Sequence, residues 1–223
     1  MHNIFFIIFV LSIVSIKAFS FEKGNTIRSI QMKEETIHIY LNKNGSVKTE
    51  VNFIFEGSMP KGFEMVFPEN ETIIYQNFKA RFGKTEVPVK RVVPPQGRLF
   101  DFKVAQYSSA YTFQALDKMT GKIPHIITYE YSLPYYFALG SKDEDSDQYY
   151  LEYIVKTGAL WDKKIDSIVA YVHLDGVRCS ALKATATSLT GECVDEKTWV
   201  HRSFNTEPNK NIELTIHQSV ITK

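Results

Sequence analysis

The sequence has few cysteines, almost no net charge and only one long hydrophobic run, and each of these shortages excludes some classes of function. The 223 residues include 26 lysines and arginines and 25 aspartates and glutamates. Affinity for a nucleic-acid backbone needs a basic surplus, so we expect no nucleic-acid partner. Because 44% of the residues are hydrophobic and 13% aromatic, the chain has enough apolar surface to fold rather than stay disordered.

The one long apolar run lies at the start of the chain and has the pattern of a secretory leader. Residues 4–16 are almost purely apolar, which is shorter than the roughly 20 residues of a membrane-spanning helix. Ala18 and Ser20 then flank Phe19 as a small-x-small cleavage site. We therefore expect a signal peptide over 1–20, cleavage near Ser20, a secreted or periplasmic location and no integral membrane anchor.

Only two cysteines are present, Cys179 and Cys193. An oxidising compartment favours their pairing, and a closed loop of about 15 residues is worth roughly 3 kcal/mol in the chain-entropy model. The turn signal Thr190-Gly191 lies between them and predicts a single disulfide-linked hairpin. Metal ligation and redox chemistry are disfavoured because the chain has no CxxC motif and no paired histidines.

Hydrophobic residues recur with a period of two, which is typical of strands with one buried face. Over residues 36–41, one face holds Ile37, Ile39 and Leu41 and the other holds Thr36, His38 and Tyr40. The turn 42–45 leads into a second alternating run. Ten or more such short strands, separated by turn residues, predict an all-β fold, an antiparallel β-sandwich that is immunoglobulin-like or related. We expect one domain over 21–223, with 94–97 as the best candidate for a subdomain break.

Catalytic and metal-binding motifs are scarce. The chain has no GxSxG, HExxH, P-loop or dinucleotide-binding glycine pattern, so we predict no catalytic residues and favour a protein that is not an enzyme. No two histidines stand at metal-ligand spacing, so no metal ligands are predicted, although strands could bring distant ones together. His173 shares a strand face with Tyr171 and Asp175. This pattern suits either a general base oriented by a carboxylate or, as we favour, a solvated face.

The region 135–150 is the predicted binding region, because aromatic residues flank an acidic loop there. Aromatic rings beside carboxylates suit sugar rings, cationic side chains or a protein surface, whereas core packing is the alternative. The DxDxD spacing also suits a Ca²⁺ ion, although Gln148 replaces the glycine of an EF-hand. The candidate binding residues here are Tyr135, Tyr136, Asp143, Asp145, Asp147 and Tyr150.

The segment TGALW, residues 157–161, lies between two predicted strands. It resembles the strand-TGAxW-strand signature of a family of uncharacterised secreted bacterial β-sandwich domains, although Asp162 and two lysines follow where members have a glycine. The resemblance implies an exported β-sandwich from a bacterium and no particular activity. Trp161 is either a ligand platform or a ring that caps the end of the sandwich.

These features together predict an exported soluble β-sandwich that acts as a binding or interaction module of the cell envelope or the extracellular space. Its partner would be a protein or a carbohydrate. Two alternatives stay open: a hydrolase of envelope polymers, and a structural subunit of a surface assembly.

Overall fold

The computed structural model describes residues 30–69, 73–94, 100–102, 105–137, 147–156 and 163–221. These residues form strands and two short 3₁₀ turns, and none of them is in an α-helix, which confirms the all-β prediction. Several predictions concern residues outside these ranges: the leader over 1–20, most of the break at 94–97, the loop residues Asp143 and Asp145, and the TGALW segment with Trp161.

The strands follow one another along the whole described chain. They are β1 (Ile30–Asn42), β2 (Ser46–Met59), β3 (Glu64–Glu69), β4 (Gln76–Phe82), β5 (Thr85–Val87), β6 (Val89–Val92), β7 (Phe100–Phe102), β8 (Ala105–Tyr107), β9 (Ser109–Gln114), β10 (Met119–Ser132), β11 (Tyr135–Phe137), β12 (Asp147–Tyr153), β13 (Ile165–Asp175), β14 (Leu182–Ala184), β15 (Glu192–Asp195), β16 (Thr198–Thr206) and β17 (Ile212–His217). The 3₁₀ turns are Cys179–Ala181 and Gln218–Val220.

Eight strands form the largest sheet, in the order β15-β16-β13-β1-β2-β10-β4-β5. The predicted hairpin between β1 and β2 is confirmed, and Gly45 closes its turn with φ 77° while its N–H donates to the carbonyl of Asn42 at 2.9 Å. Neighbouring strands in this sheet are antiparallel with one exception: β1 pairs in parallel with β13. That pairing joins segments more than 120 residues apart in the sequence and places β13 and β1 as the third and fourth strands of the sheet.

Three smaller sheets complete the fold: β11-β12-β17-β14, β3-β9-β6 and the pair β7-β8. Pro88 lies where the chain leaves β5, the last strand of the large sheet, and enters β6, an edge of the three-stranded sheet. Proline lacks the N–H that a strand interior needs, so it suits this crossing point between two edge strands.

The core lies between the inner face of the large sheet and the smaller sheets. Ile37, Val51 and Phe55 are fully buried on the large sheet. Aromatic rings join the layers: Phe78 of β4 stacks on Tyr111 of β9 with ring centroids 4.1 Å apart. Such pairs contribute about 0.5–1.5 kcal/mol beyond the burial of their area. The fold is therefore a β-sandwich, as predicted.

The predicted disulfide is present, since Cys179 and Cys193 are bonded with their Cα atoms 5.9 Å apart. Its surroundings differ from the predicted hairpin. Within the closed loop, β14 pairs with β17 and β15 pairs with β16, so the loop crosses from one sheet to another. Each short strand completes the hydrogen bonding of a different sheet edge. The disulfide ties the 3₁₀ turn Cys179–Ala181, which precedes β14, to β15 of the large sheet, and it does not link the arms of one hairpin.

Candidate functional site

The parallel pairing of β1 with β13 places four ring side chains together on the outer face of the large sheet. We call them the imidazole–phenol cluster, and its members are His38, Tyr40, Tyr171 and His173. His38 lies opposite Tyr171 and Tyr40 lies opposite His173 in the strand register. Side chains alternate between sheet faces, so all four point away from the core formed by their neighbours on the same strands.

The four rings are nearly parallel. Across the strands, ring centroids are 5.1 Å apart for His38 and Tyr171 and 4.8 Å apart for Tyr40 and His173, with interplanar angles of 9° and 18°. These distances match the spacing of about 4.8 Å between neighbouring strands. Because each ring turns one face to a ring of the other strand, the cluster presents chiefly ring edges to solvent. Ring edges carry the phenol hydroxyls and the imidazole nitrogens.

The two histidines are hydrogen-bonded to each other, with Nδ1 of His38 3.0 Å from Nε2 of His173. One of the two nitrogens donates a proton and the other must accept with its lone pair, so at least one ring is neutral. Burial lowers the pKa of His173, the electrostatic effect of the neighbouring His38 imidazole lowers it further, and the Asp195 carboxylate opposes both effects. The cluster thus holds an unprotonated imidazole at neutral pH.

The cluster keeps contact with solvent. Tyr40 is 40% exposed and the other three side chains are half-buried. On the neighbouring strand β2, Lys48 lies opposite Tyr40 and Glu50 lies opposite His38, and neither is buried. The surface therefore offers hydroxyl, imidazole, ammonium and carboxylate groups within a few strand spacings, which suits a polar ligand or partner.

The structure changes the interpretation of His173 made from sequence. The hydrogen-bond partner of its ring is His38, from a distant strand, and not Asp175 of its own strand. The site also extends to His38 and Tyr40, which sequence reasoning placed on an outward face without assigning them a role. The only sequence signal for His38 and Tyr40 was the alternation of β1, because the strand pairing that brings them close to β13 forms only in the tertiary structure.

In the predicted binding region at 135–150, the segments that flank the acidic loop pair as a hairpin. Tyr135 lies opposite Tyr149 and Phe137 lies opposite Asp147 in the antiparallel register of β11 and β12. Tyr150 is half-buried, and its backbone N–H donates to the carbonyl of Pro134 at 3.1 Å. Tyr136 lies opposite Gln148 in the same register. Binding by these residues and Ca²⁺ binding by the loop stay predictions.

A shallow concavity of about 320 Å³ adjoins the disulfide. Arg178, Ser180, Asp195 and Glu196 line it together with the two cysteines. Asp195 also acts electrostatically on His173 of the imidazole–phenol cluster.

Two carboxylates are buried in the core and have structural surroundings. Glu69 accepts hydrogen bonds from Arg91, from the Ser109 hydroxyl and from the backbone N–H of Tyr75, which ties three segments together. Glu35 accepts from the Tyr153 hydroxyl at 2.7 Å. Burial raises the pKa of Glu35 to about 7 despite that hydrogen bond.

The histidine His125 is buried among phenylalanine rings. Its Nδ1 lies 2.9 Å from the carbonyl of Arg81, which fixes the proton on that nitrogen. Burial lowers the pKa of His125 to about 3, so the ring is neutral at physiological pH. Within the described part of the chain, no three histidine, cysteine or acidic side chains are grouped so as to hold a metal ion.

Fold and site together define a disulfide-linked β-sandwich that carries an exposed cluster of imidazoles and phenols. No protein-family model matches the chain, and no curated protein sequence matches it. Within the described ranges, no helix has the length and apolar character needed to cross a membrane.

Solved structures with a similar fold do exist. A candidate nutrient-binding protein from Legionella pneumophila is 16% identical, with a TM-score of 0.59 over 85% of this chain and 67% of that one. Leukotriene A4 hydrolase from yeast, solved with bestatin, is 8% identical, with a TM-score of 0.51 over 85% of this chain. This chain spans 29% of the yeast enzyme's length. At these identities the likeness shows the fold alone.

Proposed function

We propose that this protein is an exported binding module of the cell envelope or the extracellular space, and that the imidazole–phenol cluster is its ligand surface. One observation carries the proposal: four hydrogen-bonding rings converge on an outer sheet face that remains accessible. Alternation alone would place scattered polar residues such as Lys, Glu and Thr on an outward strand face, and it does not require four rings to lie together.

Three further observations support this function. The similar Legionella structure belongs to a protein assigned a nutrient-binding role, which agrees with a β-sandwich that binds rather than transforms a ligand. The disulfide between Cys179 and Cys193 suits an oxidising compartment outside the cytosol. The leader-like run over 1–20 agrees with that location.

The edge-on arrangement of the rings favours ligands that exchange hydrogen bonds over ligands that stack flat. A sugar ring that stacks needs an open aromatic face, whereas here one face of each ring is taken by its partner across the strands. The hairpin of β11 and β12 is the second candidate surface, because aromatic residues flank its paired segments.

The test compares three forms of the purified protein as bait for envelope polysaccharides and exported proteins of its source. The first is the wild type, the second carries Tyr40→Ala with Tyr171→Ala, and the third carries Phe204→Ala. Phe204 is the matched control, because it is an aromatic residue that is 67% exposed elsewhere on the sheet.

The proposal predicts a ligand that the wild type and the Phe204 control retain and the double tyrosine variant loses. Equal retention of the ligand by all three forms would show that the ligand binds to another surface. Release of shortened polysaccharide from the wild type would instead indicate the hydrolase, and co-assembly into large particles would indicate the structural subunit.

A further inference from the structure

A histidine and a serine on β16 are hydrogen-bonded to each other on the side of the large sheet that faces the core. Nε2 of His201 lies 3.2 Å from Oγ of Ser203. In the register with β13, the two residues lie opposite Ala170 and Ile168, which are fully buried. Side chains alternate between the faces of a sheet, so this pair and the imidazole–phenol cluster lie on opposite faces.

A second hydrogen bond fixes the position of the proton on the imidazole. Nδ1 of His201 lies 2.6 Å from the backbone carbonyl of Thr190. A carbonyl oxygen can only accept, so Nδ1 carries the ring proton and Nε2 of the neutral ring keeps its lone pair. The Ser203 hydroxyl therefore donates to Nε2. A hydroxyl that donates to an imidazole, which a third group orients, is the arrangement of a nucleophile with its general base.

The pair combines a fixed base with a reachable hydroxyl. His201 is 4% exposed and is held by the Thr190 carbonyl, so its ring needs no reorientation before it takes a proton. Ser203 is half-buried and keeps contact with solvent. The other histidine–serine pair of the chain differs, because Nδ1 of His217 also accepts the backbone N–H of Ser219, so its lone pair is shared.

The edge of the sheet is open beside Ser203. The pairing of β15 with β16 covers only Thr198–Val200, and among the described residues no strand pairs with that edge of β16 beyond His201. Every second N–H of an edge strand points away from its paired neighbour. Free N–H groups next to a nucleophile can donate to an acyl oxygen that becomes negative during the reaction.

We propose that Ser203 is a nucleophile for acyl transfer and His201 is its general base, with carboxylic esters of small acids as the substrate class. The Ser203 oxygen would attack the ester carbonyl, and its proton would pass through Nε2 of His201 to the departing alcohol as the bond between acyl carbon and alcohol oxygen breaks. Water would then release the acid from the acyl-serine and return a proton to Ser203. This activity goes beyond the proposed function, because it uses a second site on the other face of the sheet.

The test exposes the purified protein, with its disulfide intact, to a fluorophosphonate probe and separately to p-nitrophenyl acetate. The serine oxygen displaces fluoride from the first and nitrophenol from the second, and peptide mass spectrometry locates the adduct. The variants are Ser203→Ala and His201→Gln, with Ser219→Ala as the matched control. Thermal unfolding checks that each variant folds.

The proposal predicts a phosphonate adduct on Ser203 in the wild type and in the Ser219 control. The Ser203 variant should carry none. In His201→Gln the labelling of Ser203 should be at least about a hundredfold slower, the lower end of the usual contribution of a general base. Brief treatment with p-nitrophenyl acetate should leave an acetyl group on the same serine.

The nucleophile would be rejected if the wild type gained no adduct on Ser203 or if only other residues were labelled. Labelling of Ser203 at the same rate in a folded His201→Gln would reject the general base. The labelling and bait experiments fail separately, since they concern opposite faces of the sheet. A labelled Ser203 with equal capture by all baits would keep the nucleophile and reject the proposed ligand surface, and the reverse result would keep only the binding module.

Discussion

Replacing the buried carboxyl of Glu35 by an amide should change how the stability of this protein depends on pH. Glu35 is 3% exposed on the inner face of β1, and the Tyr153 hydroxyl donates to it at 2.7 Å. Burial raises its pKa from 4.5 to about 7. In Glu35→Gln the side-chain oxygen can still accept from Tyr153, so the variant removes the ionisation and keeps the hydrogen bond.

The direction of this pH dependence follows from which state, folded or unfolded, loses the Glu35 carboxyl proton at the lower pH. As pH rises above 4.5, the carboxyl ionises in the unfolded chain while the folded protein still holds the proton, so the wild type loses stability until about pH 7. Each unit of pKa difference corresponds to about 1.4 kcal/mol. The free energy of unfolding of Glu35→Gln should therefore gain about 3 kcal/mol on that of the wild type between pH 4 and pH 8.

The measurement is urea unfolding at whole pH units from 4 to 8, followed by tryptophan fluorescence and circular dichroism, with the disulfide intact. Taking the difference between variant and wild type cancels every other titrating group. Glu34→Gln is the matched control, because Glu34 is the exposed neighbour on the same strand. A difference between Glu35→Gln and the wild type that stays constant within about 1 kcal/mol over this range would refute the reasoning.

Three further predictions concern other parts of the core and the disulfide. The free energy of unfolding of His125→Phe should gain about 2 kcal/mol on that of the wild type as the pH falls from 6.5 to 4.5, because the folded protein keeps this histidine neutral while the unfolded chain protonates it. Parallel pH profiles of the two proteins in urea unfolding would contradict this prediction. Replacing Cys179 and Cys193 together by alanine should lower the free energy of unfolding by about 3 kcal/mol, and an unchanged urea midpoint would show that the closed loop contributes nothing. Gly191→Ala should lower the free energy of unfolding by about 1–3 kcal/mol, since a Cβ there would meet the ring of Trp199 at 2.2 Å. A thermal midpoint like that of the wild type would show that the ring moves away freely.

Local pattern in the sequence was enough to predict the strands and several of their partners. The alternation over 36–41 correctly separates buried from outward residues in β1, and the turn at 42–45 correctly predicts the pairing with β2. Glu35 shares the inward parity of Ile37, so its burial was also readable from the sequence, although its partner Tyr153 was not. Hairpins can be predicted in this way because the strands and the turn between them are close in the sequence.

The candidate site could not be predicted, because it depends on which distant strands become neighbours. Each half of the imidazole–phenol cluster looks like an ordinary outward face of its own strand. Only the parallel pairing of β1 with β13 brings His38 to His173. The same holds for β14 and β15, which are close in the sequence and end in different sheets.

The amino-acid sequence by itself therefore determined which residues face inward, where the chain turns and which two cysteines can pair, because side-chain alternation and turn chemistry act over a few residues. The tertiary structure alone decided the order of the strands and the chemistry of their outer face. Many pairings would satisfy the same alternation, and the choice among them is made by the packing of the whole core.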